Sequence, residues 1–287
     1  MPNSTPTRPL ISSPTPARLH LGQTGPSIPT REHLRFQLDH AQARDAVHTP
    51  LDLTLLQQGL TDRNLPHLTL RSNAKDRPTY LRRPDLGRTL HPTSIATLQA
   101  QTSVILSEAQ RSEAQSKDPD TTHPPHTLPD LSPTKPPAPN TIALILADGL
   151  SAQALERHAL PLLDALLPLL SPIPYHLSPA TIATNARVAL ADEIGYLLQA
   201  SITLLLIGER PGLSSPDSLG VYLTWNPRPG RTDAERNCIS NIRGPQGLSY
   251  DEAAHRILHY LTEATRLQTT GTTLKDPTTI QPSLPKP

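Results

Sequence analysis

The stretch TIALILADGLSAQALERHALPLLDALLPLL (141–170) decides the fold. Its opening run, TIALILA (141–147), is short, apolar and free of charge, as in a strand buried on both faces. Asp148-Gly149 then turns the chain, and Ser151 can cap a helix running to about Leu170. Strand, tight turn and capped helix make the first half of a βαβ unit. Downstream, VALADEIGYLL (188–198) reads as a helix and ITLLLI (202–207) as a second fully buried strand. The loop GERPGLSSPDS (208–218) follows, then a third strand, VYLTW (221–225). Residues 226–241 read as loop, with Pro227, Pro229 and Gly230. Ser249-Tyr-Asp-Glu252 has capping-box spacing and opens a helix to about Gln268, with Ala253, Ile257, Leu261 and Ala264 along one side. Alternating apolar strands and helices predict an α/β domain with a mainly parallel sheet over 140–270.

Upstream, the texture is helical over 17–101. TREHLRFQLDHAQARDAV (30–47) carries Thr30 as a cap, with Leu34, Leu38, Ala41 and Val47 near one face and Arg and Asp on the other. Shorter helices are expected over 51–58, 84–90 and 93–101. Residues 1–16 read as a disordered tail and 271–287 as a flexible one. Residues 102–139 contain the repeat SEAQRSEAQ and the run DPDTTHPPHTLPDLSPTKPPAPN, and they read as a Pro-rich linker or insertion.

Composition narrows the function classes. Of 287 residues, 34 are proline, roughly one in eight against a usual one in twenty, so a compact core must coexist with extended segments. Basic and acidic residues balance at 26 against 25, which argues against a protein built to grip nucleic acid. The single cysteine, Cys238, excludes an internal disulfide framework and a zinc site of paired cysteines, and fits a reducing compartment. The N-terminus shows no secretory signal, and no apolar run approaches the roughly 20 residues needed to span a bilayer. A cytoplasmic chain without a membrane or nucleic-acid partner is the expectation.

Ligands of such sheets gather at the carboxyl ends of the strands, here Asp148-Gly149, Gly208-Glu209-Arg210 and the loop after Trp225. Glu209 reads equally as half of an ion pair at the sheet rim or as a carboxylate presented to amide or hydroxyl donors of a ligand. Asp148 reads as a turn cap. Cys238, with no histidine beside it, reads as a small apolar residue rather than a catalytic thiolate. Val188 reads as helix packing. There is no G-x-G-x-x-G after a strand and no G-x-x-x-x-G-K-[ST]. The histidines show no metal-binding spacing. No catalytic dyad or triad assembles, so no catalytic or metal-ligating residue is assigned. The pattern is that of a subunit that binds rather than reacts.

ADGLSA (147–152), RVALADEIG (187–195), LIGERPGLSSPDSLGVYLTW (206–225) and RTDAERNCISNI (231–242) together resemble the small subunit of ethanolamine ammonia-lyase. ARLHLGQTGP (17–26), LRFQLDHAQARDAV (34–47) and YLRRPDLGRTL (80–90) resemble that family's first segment in the same order. The resemblance covers about two-thirds of the chain or more, with 102–139 and both termini outside it. It implies a Rossmann-like subunit that covers adenosylcobalamin at the interface with a large (β/α)8 barrel subunit. The barrel carries the substrate and the radical chemistry that converts ethanolamine to acetaldehyde and ammonia. It also implies three cobalamin contacts: Val188 in the R-V motif, Glu209 in G-E-R-P-G and Cys238 in C-I-S-N-I. Packaging in a bacterial microcompartment is left open by the resemblance. The competing expectation is a non-catalytic adaptor that recruits partners through the Pro-rich linker.

Overall fold

The computed structural model describes residues 25–102 and 138–275. The expected tail at 1–16, residues 276–287 of the tail expected over 271–287, and residues 103–137 of the expected linker lie outside the described residues. Residues 271–275 are packed on the sheet domain, with Leu274 buried and Asn237 donating to the carbonyls of Gly271 and Leu274.

Seven strands form one sheet in the order β1-β4-β2-β5-β6-β7, with β3 also paired to β2. The strands are β1 (His67–Arg71), β2 (Ala138–Ala147), β3 (His176–Leu177), β4 (Ala180–Thr184), β5 (Ala200–Gly208), β6 (Leu219–Trp225) and β7 (Arg236–Ile242). Pairs among β1 to β5 are parallel; β6 and β7 are antiparallel additions beyond β5. The architecture is the expected α/β type. The connection after β2 runs to β3 and β4 on one side, whereas that after its neighbour β5 runs to β6 on the other. That reversal is a topological switch point, where open α/β sheets bind ligands.

The helices are α1 (Thr30–His48), α2 (Leu53–Asp62), α3 (Arg77–Arg82), α4 (from 92 to the described limit at 102), α5 (Ala152–Leu170), α6 (Leu190–Leu197) and α7 (Tyr250–Leu267). The caps expected at Ser151 and Ser249 form: their hydroxyls accept from Ala154 N and Glu252 N, both at 3.3 Å. Leu155, Leu162 and Leu166 of α5 and Ile257 and Leu261 of α7 pack with Ile142, Leu204 and Leu223 on one sheet face. On the other face, Leu190 and Ile194 of α6 and Leu98 of α4 pack with Ile145, Leu205 and Ile207. A strand covered on both faces has no reason to alternate, and all nine residues of β5 are buried.

Several elements differ from expectation. β1 lies within the segment read as helical, and it reaches the sheet by pairing with β4. The short strand ATIAT of β4 was not anticipated. Over 84–90, expected to be a helix, there is only a single 3-10 turn at Leu86–Arg88; α3 precedes it, with Pro78 in its first turn and Asp76 as its cap. β7 occupies the end of the stretch read as loop. Cys238, Ser240 and Asn241 are exposed on this edge strand, while Arg236 and Asn237 are polar residues that it buries, so its apolar content is too low to show in a run. α1 forms over the expected residues, but Leu34 and Leu38 are each 57% exposed and Ala46 is its one buried residue. The helix projects from the body rather than laying its stripe on the core. Its first turn follows Pro29, with no side-chain cap.

Among the described residues, no helix is long and apolar enough to cross a membrane.

Candidate functional site

The carboxyl ends of β2, β4 and β5 emerge side by side. Gly149 follows β2 with φ +54°, and a Cβ there would strike the carbonyl of Gly208. A Cβ on Gly208 would strike the carbonyl of Ser151. Only glycine allows these two chain segments to pass so closely. Asp148 accepts from the backbone N–H of Asn185 at 2.8 Å and of Ala186 at 3.0 Å, so the exit of β4 is tied to the exit of β2. Asp148 thus bonds the neighbouring strand exit, rather than only capping its own turn. Burial pushes its carboxyl above the ordinary value, against the pull of Arg77.

Glu209 stands one residue past β5. Its N–H donates to the carbonyl of Ser218 at 2.9 Å, closing the 209–218 loop. The loop is pinned again by Ser151 Oγ on the carbonyl of Pro216 at 3.1 Å, by Arg157 on Asp217 at 2.8 Å and by Arg243 on the carbonyl of Ser214 at 2.9 Å. The Glu209 carboxylate lies over Gly220, whose added Cβ would sit 2.9 Å from Oε1. Oε1 accepts from the Ser240 hydroxyl at 2.6 Å; Oε2 accepts from the Ser218 hydroxyl and from Asn241 N–H at 3.3 Å. A carboxylate offers about four lone-pair positions, so one remains for an outside donor. The rim ion pair weighed against this role does not form among the described residues: Glu209's partners are hydroxyls and an amide.

Cys238 sits on β7 opposite Tyr222 of β6, and the thiol and phenol are hydrogen-bond partners. Cys238 is exposed, so it is not the buried small residue that its isolation suggested. Its thiol is nonetheless pushed up, first by desolvation against its neighbours and then by the Glu209 charge. Burial likewise pushes up the Tyr222 phenol.

Val188 lies between β4 and α6, half-buried, and packs on the same apolar cluster as Tyr222. Gly220 and Tyr222 pair with Ile207 and Leu205, whose side chains belong to that cluster. Glu209, Cys238 and Ser240 extend the same face. Val188, Glu209 and Cys238 therefore lie on one side of the sheet, toward the carboxyl ends of its parallel strands. At Cys238 and Ser240 this face is exposed, α6 covers it only at the Arg236 end of β7, and α5 and α7 cover the opposite side. Ser218, Tyr222 and Ser240 were not singled out from the sequence. Their place depends on cross-strand register, which local patterning does not carry.

Beneath α6, Asp192 and Arg236 form an ion pair with both side chains 2% exposed. Arg236 also reaches Asp233 at 2.9 Å and donates to the carbonyl of Arg231 at 2.9 Å. Burial pushes the Asp192 carboxyl up to about 6 despite Arg236. The pair joins the helix that follows Val188 to the strand that carries Cys238. Among the described residues, no group of three or more His, Cys, Asp or Glu side chains could hold a metal ion.

Comparison with known proteins fits this arrangement. The family model for the ethanolamine ammonia-lyase light chain matches residues 8–115 and 119–275. The stretch 102–139, expected to stand outside the family pattern, therefore falls inside it except for residues 116–118. The chain is 49% identical over 262 residues to the ethanolamine ammonia-lyase small subunit of Azotobacter vinelandii, covering 91% of this chain and 85% of that protein. It is 47% identical over 267 residues to the small subunit of Pseudomonas aeruginosa strain LESB58, covering 93% and 86%. Against that of Pseudomonas putida strain GB-1 it is 47% identical over 262 residues, covering 91% and 85%. With most of its length matched by the family model, and these identities along nearly all of it, the chain belongs to the ethanolamine ammonia-lyase light-chain family.

Proposed function

We propose that this chain is the cobalamin-covering subunit of an adenosylcobalamin-dependent ammonia-lyase that converts ethanolamine to acetaldehyde and ammonia, working only with a large barrel subunit. The observation that carries the reading is that Val188, Glu209 and Cys238 lie on one side of the sheet, toward the carboxyl ends of its parallel strands. The three are far apart in sequence, and that end of a parallel sheet is where α/β folds generally take ligands, which supports the reading.

The face suits the cofactor's chemistry. Corrin side arms end in amides, and Glu209 keeps an acceptor position free while its other positions are held by Ser218, Ser240 and Asn241 N–H. Val188 and Cys238 offer apolar and soft surface to a ring edge. No histidine belongs to this cluster, so the residues present hold the periphery of the cofactor rather than coordinate its cobalt. When bound, adenosylcobalamin supplies the radical by homolysis of its cobalt–carbon bond. This chain's residues bind and orient it and shield one side from water. Because the open face is itself part of the assembly surface in this reading, the large subunit closes it. The chain functions in the cytoplasm in this account.

The test is a spectral titration of adenosylcobalamin against this chain assembled with the large subunit. Glu209→Ala removes an acceptor to a neutral donor and strands two hydroxyls, so Kd rises about tenfold. An unchanged Kd in a folded complex removes Glu209 from the site. The large subunit alone, equally active without this chain, overturns the functional reading.

A further inference from the structure

Segment 185–187, which delivers Val188, has nearly all its backbone held by residues outside it. Asp148 accepts from Asn185 N–H at 2.8 Å through Oδ2 and from Ala186 N–H at 3.0 Å through Oδ1. The Tyr80 hydroxyl donates to the carbonyl of Ala186 at 3.1 Å. Arg187 N–H donates to the carbonyl of Gly87 at 2.8 Å. Asn185 takes a left-handed φ of 53°, which lets the chain turn sharply out of β4. Tyr80 is 1% exposed and lies between two guanidinium groups, Arg187 at 4.3 Å and Arg77 at 4.9 Å from its ring centre. Arg77 completes the frame: Nη1 meets Asp148 Oδ2 at 3.3 Å and the carbonyl of Gly149 at 2.7 Å, and Nε meets the carbonyl of Val47 at 2.8 Å. α3 and the 3-10 turn thus brace a loop of the sheet domain from outside it.

Far more contacts converge here than a surface loop needs to persist. The one candidate contact residue that the sequence left as ordinary packing, Val188, follows directly. We propose that Tyr80, Asp148 and Arg77 are positioning residues for Val188, fixing the 185–187 backbone so that Val188 meets the cofactor in one place. They do not touch the ligand; they act through the loop. The proposal rests on the cobalamin reading of Val188, and it gives the segment before the linker a task at the site.

The experiment measures adenosylcobalamin affinity by absorbance titration of the two-subunit complex, with no turnover required. Tyr80→Phe removes the single hydrogen bond to Ala186 and keeps the ring between its arginines, so the complex folds. It raises Kd about three- to tenfold, the range expected for one hydrogen bond to a neutral acceptor. A double-mutant cycle supplies a readout that general destabilisation would not move. Tyr80→Phe is non-additive with Val188→Ala, because the second change removes what the first misplaces, and additive with Glu209→Ala. An unchanged Kd for Tyr80→Phe, or additivity with both, overturns the positioning role while leaving the cobalamin face intact. If neither Val188→Ala nor Glu209→Ala alters Kd, the cobalamin reading fails and the positioning role fails with it.

Discussion

The parallel and antiparallel halves of the sheet are built on different principles. From β1 to β5 the strands carry helices on both faces, and the interior is apolar almost throughout. Over β6 and β7 one face carries α5 and α7, and the other, covered by α6 only at Arg236, is exposed at Cys238 and Ser240 beside Tyr222 and Glu209. Apolar burial secures the first half. On the open side of the second, hydrogen bonds and a buried ion pair hold strands and loops in register. The candidate cofactor face lies where the parallel core passes into the antiparallel edge.

The largest expected effect tests that contrast at the ion pair. Arg236→Met leaves the Asp192 carboxylate buried without its cation and costs about 3–5 kcal/mol of stability, read by denaturant unfolding. A loss below about 1 kcal/mol would mean that apolar packing secures both halves alike.

The same pair gives the comparison a pH signature. The Asp192 carboxyl titrates near 6 when folded, above its ordinary value, because burial disfavours its charge. Its stabilising contribution is therefore full below about pH 4 and is lost as pH rises through 6. Asp192→Asn cannot titrate. Wild type should lose on the order of 2–3 kcal/mol relative to that variant between pH 4 and 7, measured by unfolding at each pH. Parallel pH profiles for the two proteins would contradict this.

A smaller effect concerns the open face directly. Cys238 is exposed, but its thiol is pushed up, so alkylation by iodoacetamide at pH 8 runs several-fold slower than for a free cysteine. Adding the large subunit with adenosylcobalamin should suppress the reaction further. Alkylation at the free-thiol rate in the assembled complex would show that this face is not covered.

The least effect is expected outside both halves. Leu38→Ser on projecting α1 changes stability by less than about 0.5 kcal/mol, since the side chain leaves no core contact behind. A loss of 2 kcal/mol would mean that α1 packs as a core helix.

The contrast between the halves also explains what the sequence revealed. β2 and β5 were legible because strands covered on both faces read as unbroken apolar runs, and α5 and α7 because their caps and stripes are local features. β7 was hidden: RNCISNI has only two isoleucines among polar residues, and its burial pattern does not alternate regularly, so neither a run nor a period of two marks it. β1 and β4 are short, and their pairing is decided by distant partners. At the site, Glu209 was accessible from the strand-end rule alone, although that left an ion pair as an equal alternative. Val188 and Cys238 emerged from family resemblance. Tyr222, Ser218, Ser240 and Asp192 with Arg236 needed the three-dimensional register, because their partners lie 9 to 44 residues away. Tyr80 is separated from the loop it braces by 106 residues.

A structure of this chain assembled with the large subunit and adenosylcobalamin tests the central claim most directly. The account predicts the cofactor's periphery against the open face of β6 and β7, within contact distance of Val188, Glu209 and Cys238 together. A cofactor held by the large subunit alone, with these three residues facing solvent or another partner, would contradict it.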